Sequence, residues 1–109
     1  MQQRTYDFLA KLKVPMLTFG GELMGEAVEM VVDDLNSHRF MSMRDIEASL
    51  ADKFNCSPGV ADRRMRYALD MAEYRSGGVN VELENLKSTY DIKAVSYTHL
   101  RAHETLANL

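Results

Sequence analysis

An all-α domain of about five helices, built around a helix-turn-helix, is predicted by three observations. Two apolar stripes at helical spacing lie between Arg44 and Arg75, the run Asn55-Cys56-Ser57-Pro58-Gly59 breaks them apart, and a third long stripe begins near Glu22. In the first half of the Arg44 to Arg75 unit, Ile46, Leu50, Ala51 and Phe54 share one face, while Asp45, Glu47, Asp52 and Lys53 take the other. Asn55 suits a helix end, Ser57 an N-cap, and Pro58 the first helical position, where its missing N–H costs nothing. Beyond it Ala61, Met65, Ala68, Leu69 and Ala72 form a stripe of mostly small residues, which lets two helices approach closely. Asp62, Arg63, Arg66 and Asp70 point elsewhere, so the outward face is polar and carries arginine.

The remaining elements follow from the same rules. A first helix opens at Gln3 or Thr5, with Tyr6, Phe8, Leu9 and Leu12 as its buried positions and Lys11 and Lys13 near its C-terminus, and Val14-Pro15 stops it. Met16 to Gly21 reads as a connector, because Pro15 and Gly20-Gly21 punctuate a short apolar run. From Glu22 a helix places Leu23, Met24, Ala27, Val28, Met30, Val31 and Leu35 on a broad stripe opposite Glu22, Glu26, Glu29 and Asp33, and ends at Asn36-Ser37-His38-Arg39. Ser42 is an N-cap candidate with Asp45 three residues on. Gly77-Gly78 closes the second helix of the motif, and a short helix over Leu83 to Lys87 is expected after it.

Composition narrows the class of protein. A chain of 109 residues with 46% hydrophobic residues is one domain by length, large enough for a single core. No run approaches the ~20 apolar residues of a membrane span, and the N-terminus lacks the apolar centre of a secretory signal. The single Cys56 cannot close an internal disulfide. A soluble, cytoplasmic protein is expected, with no membrane partner. The formal charge of −3 argues against a general basic field, but leaves room for one local basic face.

Arg63 and Arg66, three apart on one helix face, can both project into a major groove, where an arginine fork reads the O6 and N7 acceptors of guanine. Asp62 accepts from a cytosine amine or orients a neighbouring arginine. Arg64 points to the side, toward a phosphate or an acid. Ser57 and the backbone N–H groups of Gly59 and Val60 lie at a helix N-terminus, which suits a phosphate oxygen, and Arg44 is a further phosphate candidate. From Arg44 to Arg75 there are six basic residues (Arg44, Lys53, Arg63, Arg64, Arg66, Arg75) and six acidic ones (Asp45, Glu47, Asp52, Asp62, Asp70, Glu73). A neutral motif predicts modest affinity at physiological salt and a need for dimers or tandem sites on double-stranded DNA, since phosphate neutralisation supplies most of the attraction.

Other residues favour structural roles. Cys56 is a small spacer in a turn with no histidine near it in sequence, and His38 is a lone loop histidine. Gly20-Gly21-Glu22 lacks the lysine of a phosphate loop and reads as a turn into the helix. Asp33-Asp34 and Glu22/Glu26 are solvated helix acids, with no sign of a pocket that would shift a pKa. Met24, Met30, Met65 and Met71 are core, whereas Met16, Met41 and Met43 lie in less regular segments suited to an adaptable contact surface. No enzyme, cofactor or metal site is expected.

A family resemblance rests on many such positions. Val14-Pro15, Gly20, Glu26-Ala27-Val28 and Met30-Val31, followed by Leu50-Ala51, Lys53-Phe54-Asn55, Asp62-Arg63, Met65-Arg66, Ala68-Leu69 and Ala72, resemble the DNA-binding effector domain of the stage 0 sporulation response regulator family. The resemblance runs from Tyr6 to Gly78, about two-thirds of the chain. It implies an all-α domain of about six helices around a helix-turn-helix that binds a short DNA box, often as tandem copies, as part of a transcription regulator. The family normally carries a receiver domain, which this sequence lacks. Where relatives have a further basic residue early in the recognition helix, this chain has Val60.

The end of the chain has a different character. Val95-Ser96-Tyr97-Thr98-His99-Leu100-Arg101-Ala102-His103-Glu104-Thr105 back-translates as a sequence that resembles a transposase-type sequencing-library adapter read in frame, with Ala94 as a candidate junction. The expected organisation is therefore an effector-type domain over residues 1–94 and an artefact tail over 95–109, with the last family helix missing. The zinc-like spacing of His99 and His103 carries no metal assignment for the same reason. Two functional classes remain open: a sequence-specific DNA reader, and a protein-interaction module that kept the fold and uses the acidic Glu22 to Leu35 helix or the methionine-rich connector.

Overall fold

The computed structural model describes residues 1–37, 41–78 and 80–94, and over these the chain is all-helical. The helices are α1 (Gln3–Lys11), α2 (Phe19–Asn36), α3 (Met43–Phe54), α4 (Pro58–Ser76) and α5 (Val81–Ala94). The expected tail over 95–109, including His99 and His103, and the loop histidine His38 lie outside the described residues. Among the described residues, no helix is long and apolar enough to cross a membrane.

The α3–α4 pair forms as its residues dictate. Ser42 Oγ accepts from the Asp45 N–H at 3.2 Å while the Asp45 carboxylate accepts from the Ser42 N–H at 3.4 Å, a reciprocal capping box. Asn55 ends α3 in the left-handed region at φ 54°, a conformation asparagine tolerates better than most residues. Cys56 N–H closes the turn on the Ala51 carbonyl at 3.0 Å. Ser57 Oγ then accepts from the Val60 N–H at 3.1 Å, with Pro58 at the first helical position, and Gly77 ends α4 at φ 62°. Ile46 and Leu50 from α3 meet Ala61, Met65, Ala68, Leu69 and Ala72 from α4, all buried in one core with Leu9, Leu12, Leu23 and Met24.

α2 begins earlier than the spacing of its large residues predicts, and Gly20-Gly21 belongs to its first turn rather than to a connector. Thr18 is the N-cap: its Oγ accepts from the Gly21 N–H at 3.2 Å, and its hydroxyl donates to the Pro15 carbonyl at 2.6 Å. The glycines are there for space. A Cβ on Gly20 would stand 2.4 Å from the Arg64 carbonyl oxygen, and one on Gly21 2.3 Å from that of Pro15. Backbone-to-backbone approach of α2 on α4 thus outweighs the modest helix penalty of glycine.

Three further expectations are corrected by packing. Tyr6 and Phe8 are 37% and 39% exposed, because α1 is short and only Leu9 and Leu12 reach the core. Leu35 is 64% exposed, while Asp34, at i+7 from Ala27 and so in line with the buried stripe, is buried instead. The last helix is longer than Leu83 to Lys87. Asn80 Oδ1 accepts from the Leu83 N–H at 3.2 Å to start it, and Leu83, Leu86 and Tyr90, spaced i, i+3, i+7, fasten it to the core.

Candidate functional site

The outward face of α4 carries Arg63, Tyr67, Asp70 and Tyr74, spaced i, i+4, i+7, i+11, all exposed. Arg63 makes no ion pair with a described residue. Arg64 is also exposed, and its backbone carbonyl abuts Gly20 of α2. Arg66 leans the other way, toward α5. α5 returns alongside α4 in the antiparallel sense, since Lys87 pairs with Glu73 while Tyr90, further along α5, reaches back to Asp62.

A polar network results where α3, α4 and α5 meet. The Tyr90 hydroxyl donates to Asp62 Oδ1 at 2.5 Å. Arg66 Nε donates to both oxygens of the same carboxylate, at 3.1 and 3.2 Å, the i,i+4 pairing that a helix permits. The Arg66 guanidinium lies 5.0 Å from the centroid of the Tyr90 ring, within cation–π range. Its outer nitrogen stands 3.7 Å from Asp91 Oδ1, a loose pair with an acid that is 63% exposed. Nearly half of the Arg66 side chain, 46%, stays accessible.

The network redistributes protons. Burial pushes the Glu47 carboxyl up, its hydrogen bond to Asp62 and the Asp62 charge add to this, and it reaches about 7. Asp62 moves the opposite way: burial would raise it, but hydrogen bonds from Tyr90, Glu47 and Arg66 outweigh that and hold it below its ordinary value. Burial, and then the bond to Asp62, raise the Tyr90 phenol far above its usual range, so it remains a donor. Asp62 is therefore held as the anion, with Tyr90 and Arg66 as its hydrogen-bond donors and the raised Glu47 carboxyl close by.

The other candidate residues sit at the edge of this face. Ser57 is exposed and its Oγ lone pair is used in the cap, which leaves its O–H free to donate outward. In the first turn of α4, Pro58 has no N–H, Val60 donates to Ser57 Oγ and Ala61 to the Ser57 carbonyl, so the Gly59 N–H is the donor left over. Nothing lies within 4 Å of a Cβ placed on Gly59, so the surface beside that residue is open. Arg44 is exposed in the first turn of α3. Among the described residues, no group of three or more His, Cys, Asp or Glu could hold a metal ion.

Sequence reasoning missed Tyr90, Asp91 and Glu47. Tyr90 was legible in principle as the i+7 partner of Leu83. Its bond to Asp62, 28 positions away, depends on how α5 docks and has no local signature.

Compared with known proteins, the chain matches no family model, no curated protein and no solved structure.

Proposed function

We propose that the chain is a sequence-specific DNA-binding module of a transcription regulator, in which α3 and α4 act as a helix-turn-helix and α4 enters the major groove. The observation that carries this reading is the placement of the arginines. Arg63 stands on the outward stripe just past a capped helix start, and Arg66, one turn on, is held by Asp62 with nearly half of its side chain accessible. Arg63 and Arg66 then read bases, and Asp62 serves as the orienting anion, because its oxygens already accept from Tyr90 and Arg66. Ser57, the Gly59 N–H, Arg44 and Arg64 lie where backbone contacts would fix the register. The resemblance to the sporulation regulator effector domain points the same way. The neutral Arg44 to Arg75 unit suits binding as pairs or tandem copies.

The test is selection from random-sequence duplex DNA at low and moderate salt. Enrichment of one motif with a steep salt slope is expected, and the Arg63→Ala, Arg66→Ala double variant loses roughly 1–3 kcal/mol per base contact at that motif. A folded double variant that binds the selected site as well as the parent overturns the reading. Failure of the parent to enrich any motif favours the protein-interaction alternative.

A further inference from the structure

We propose that Tyr90, on α5 and outside the two-helix unit, is a specificity-determining positioning residue: it fixes the Asp62–Arg66 pair so that Arg66 meets DNA already ordered. This rests on the DNA-binding reading above and names what sets base choice within that same site.

The geometry is a three-point hold. The Tyr90 hydroxyl bonds Asp62 Oδ1 at 2.5 Å, Asp62 bonds Arg66 Nε through both oxygens, and the Tyr90 ring lies 5.0 Å from the guanidinium. Asp62 and Arg66 alone form an i,i+4 pair of the kind that is weak on an open helix surface. Tyr90 alters this because it is only 4% exposed and anchored with Leu83 and Leu86. Its hydroxyl removes one carboxylate oxygen from free rotation and its ring closes one face of the guanidinium.

Among the described residues, Nε carries the hydrogen bonds of Arg66, and Nη1 stands 3.7 Å from Asp91 Oδ1. The two terminal nitrogens of Arg66 form the end-on fork that matches O6 and N7 of guanine, and the one close acid, Asp91, is a loose partner. An arginine ordered before binding avoids losing its rotamer freedom in the complex, which is worth roughly a factor of ten in affinity for a long side chain. That factor applies only to the base that accepts the fork in the held orientation, so it appears as discrimination.

Tyr90→Phe keeps the ring and removes the hydroxyl. The position read by Arg66 is first defined as the one whose preference vanishes in Arg66→Ala. At that position Tyr90→Phe is expected to lose about tenfold in guanine-over-adenine discrimination, with the salt slope unchanged because no phosphate contact is lost. In the DNA-free protein, NMR should show the Arg66 Nε–H exchanging faster with solvent in the variant. Asp62→Asn, which keeps the shape and removes the charge, should reproduce both effects, and serves if Tyr90→Phe is poorly folded. Asp91→Asn is expected to tighten binding at all sites without changing discrimination. Unchanged discrimination in Tyr90→Phe, with the parent still selecting its motif, overturns this inference alone. Tighter binding by Tyr90→Phe also overturns it, by making α5 a cover over the recognition face. A parent that selects no motif overturns the DNA reading and this inference together, and the Arg66 exchange rates then report only on the fold.

Discussion

The Tyr90 hydroxyl lies 2.5 Å from Asp62 Oδ1 and ties the last helix to the early turns of α4. A buried hydroxyl bonded to a carboxylate contributes more than a neutral pair, about 1.5–3 kcal/mol. Tyr90→Phe should lower stability toward the lower end of that range, about 1–2 kcal/mol, because Asp62 keeps its bonds to Arg66. Urea unfolding should show the loss in the midpoint with the slope unchanged.

Glu47 gives the chain a stability that depends on pH near neutrality. Its folded value of about 7 exceeds the ordinary 4.5, so the folded state binds the proton more tightly than the unfolded chain does. Stability therefore falls as pH rises from 4.5 to about 7, and stays lowered above that. Asp62 acts with the opposite sign: its depressed value means stability is lost as pH drops through and below its ordinary range. From these two groups the maximum should fall between their ordinary values, 3.8 for Asp62 and 4.5 for Glu47. Glu47→Gln removes the upper slope, and at about pH 8 it should exceed the parent by roughly 1 kcal/mol, after allowance for the exposure of the side chain. Thermal unfolding of both proteins across this range checks the sign, and a parent curve flat between about pH 5 and 8 would contradict it.

Gly20 has no room for a methyl group, since its Cβ would meet a backbone carbonyl that cannot swing aside. Gly20→Ala should cost about 3 kcal/mol, at the upper end of overpacking, as α2 and α4 are forced apart. Calorimetry would show it directly. A cost below about 1 kcal/mol would mean that the two helices are not in close contact.

Gly59 should behave in the opposite way. Open space surrounds its Cβ position and its φ is not positive, so Gly59→Ala should leave stability unchanged or raise it by up to about 1 kcal/mol. If a phosphate seats on the Gly59 N–H, the same variant should weaken DNA binding at every sequence alike. Parallel measurement of unfolding and of affinity for the selected site and for random DNA separates the two effects.

Much of the α3–α4 unit was legible because its signals are local. Ser42 with Asp45, Asn55 in the left-handed region, Ser57 before Pro58 and Gly77 at the helix end each act within a few residues, and the stripe from Ala61 to Ala72 has an unbroken helical period. Reading failed where local and distant demands diverged. Gly20-Gly21 looks like punctuation until Arg64 is brought against it, and Leu35 looks like core until Asp34 takes the inward position. α5 shows little periodicity; among its described side chains Leu83, Leu86 and Tyr90 carry its attachment.

The sequence by itself determined the all-α class, the caps and turn between α3 and α4, and the polar, arginine-bearing face of α4, since periodicity and capping are short-range physics. Only the tertiary structure decided which of those polar groups answer to one another. Asp62 became an anion shared by Tyr90 and Arg66, and Arg66 was drawn toward Tyr90 and Asp91 of α5, because hydrogen bonds and desolvation act through space between helices that are distant along the chain.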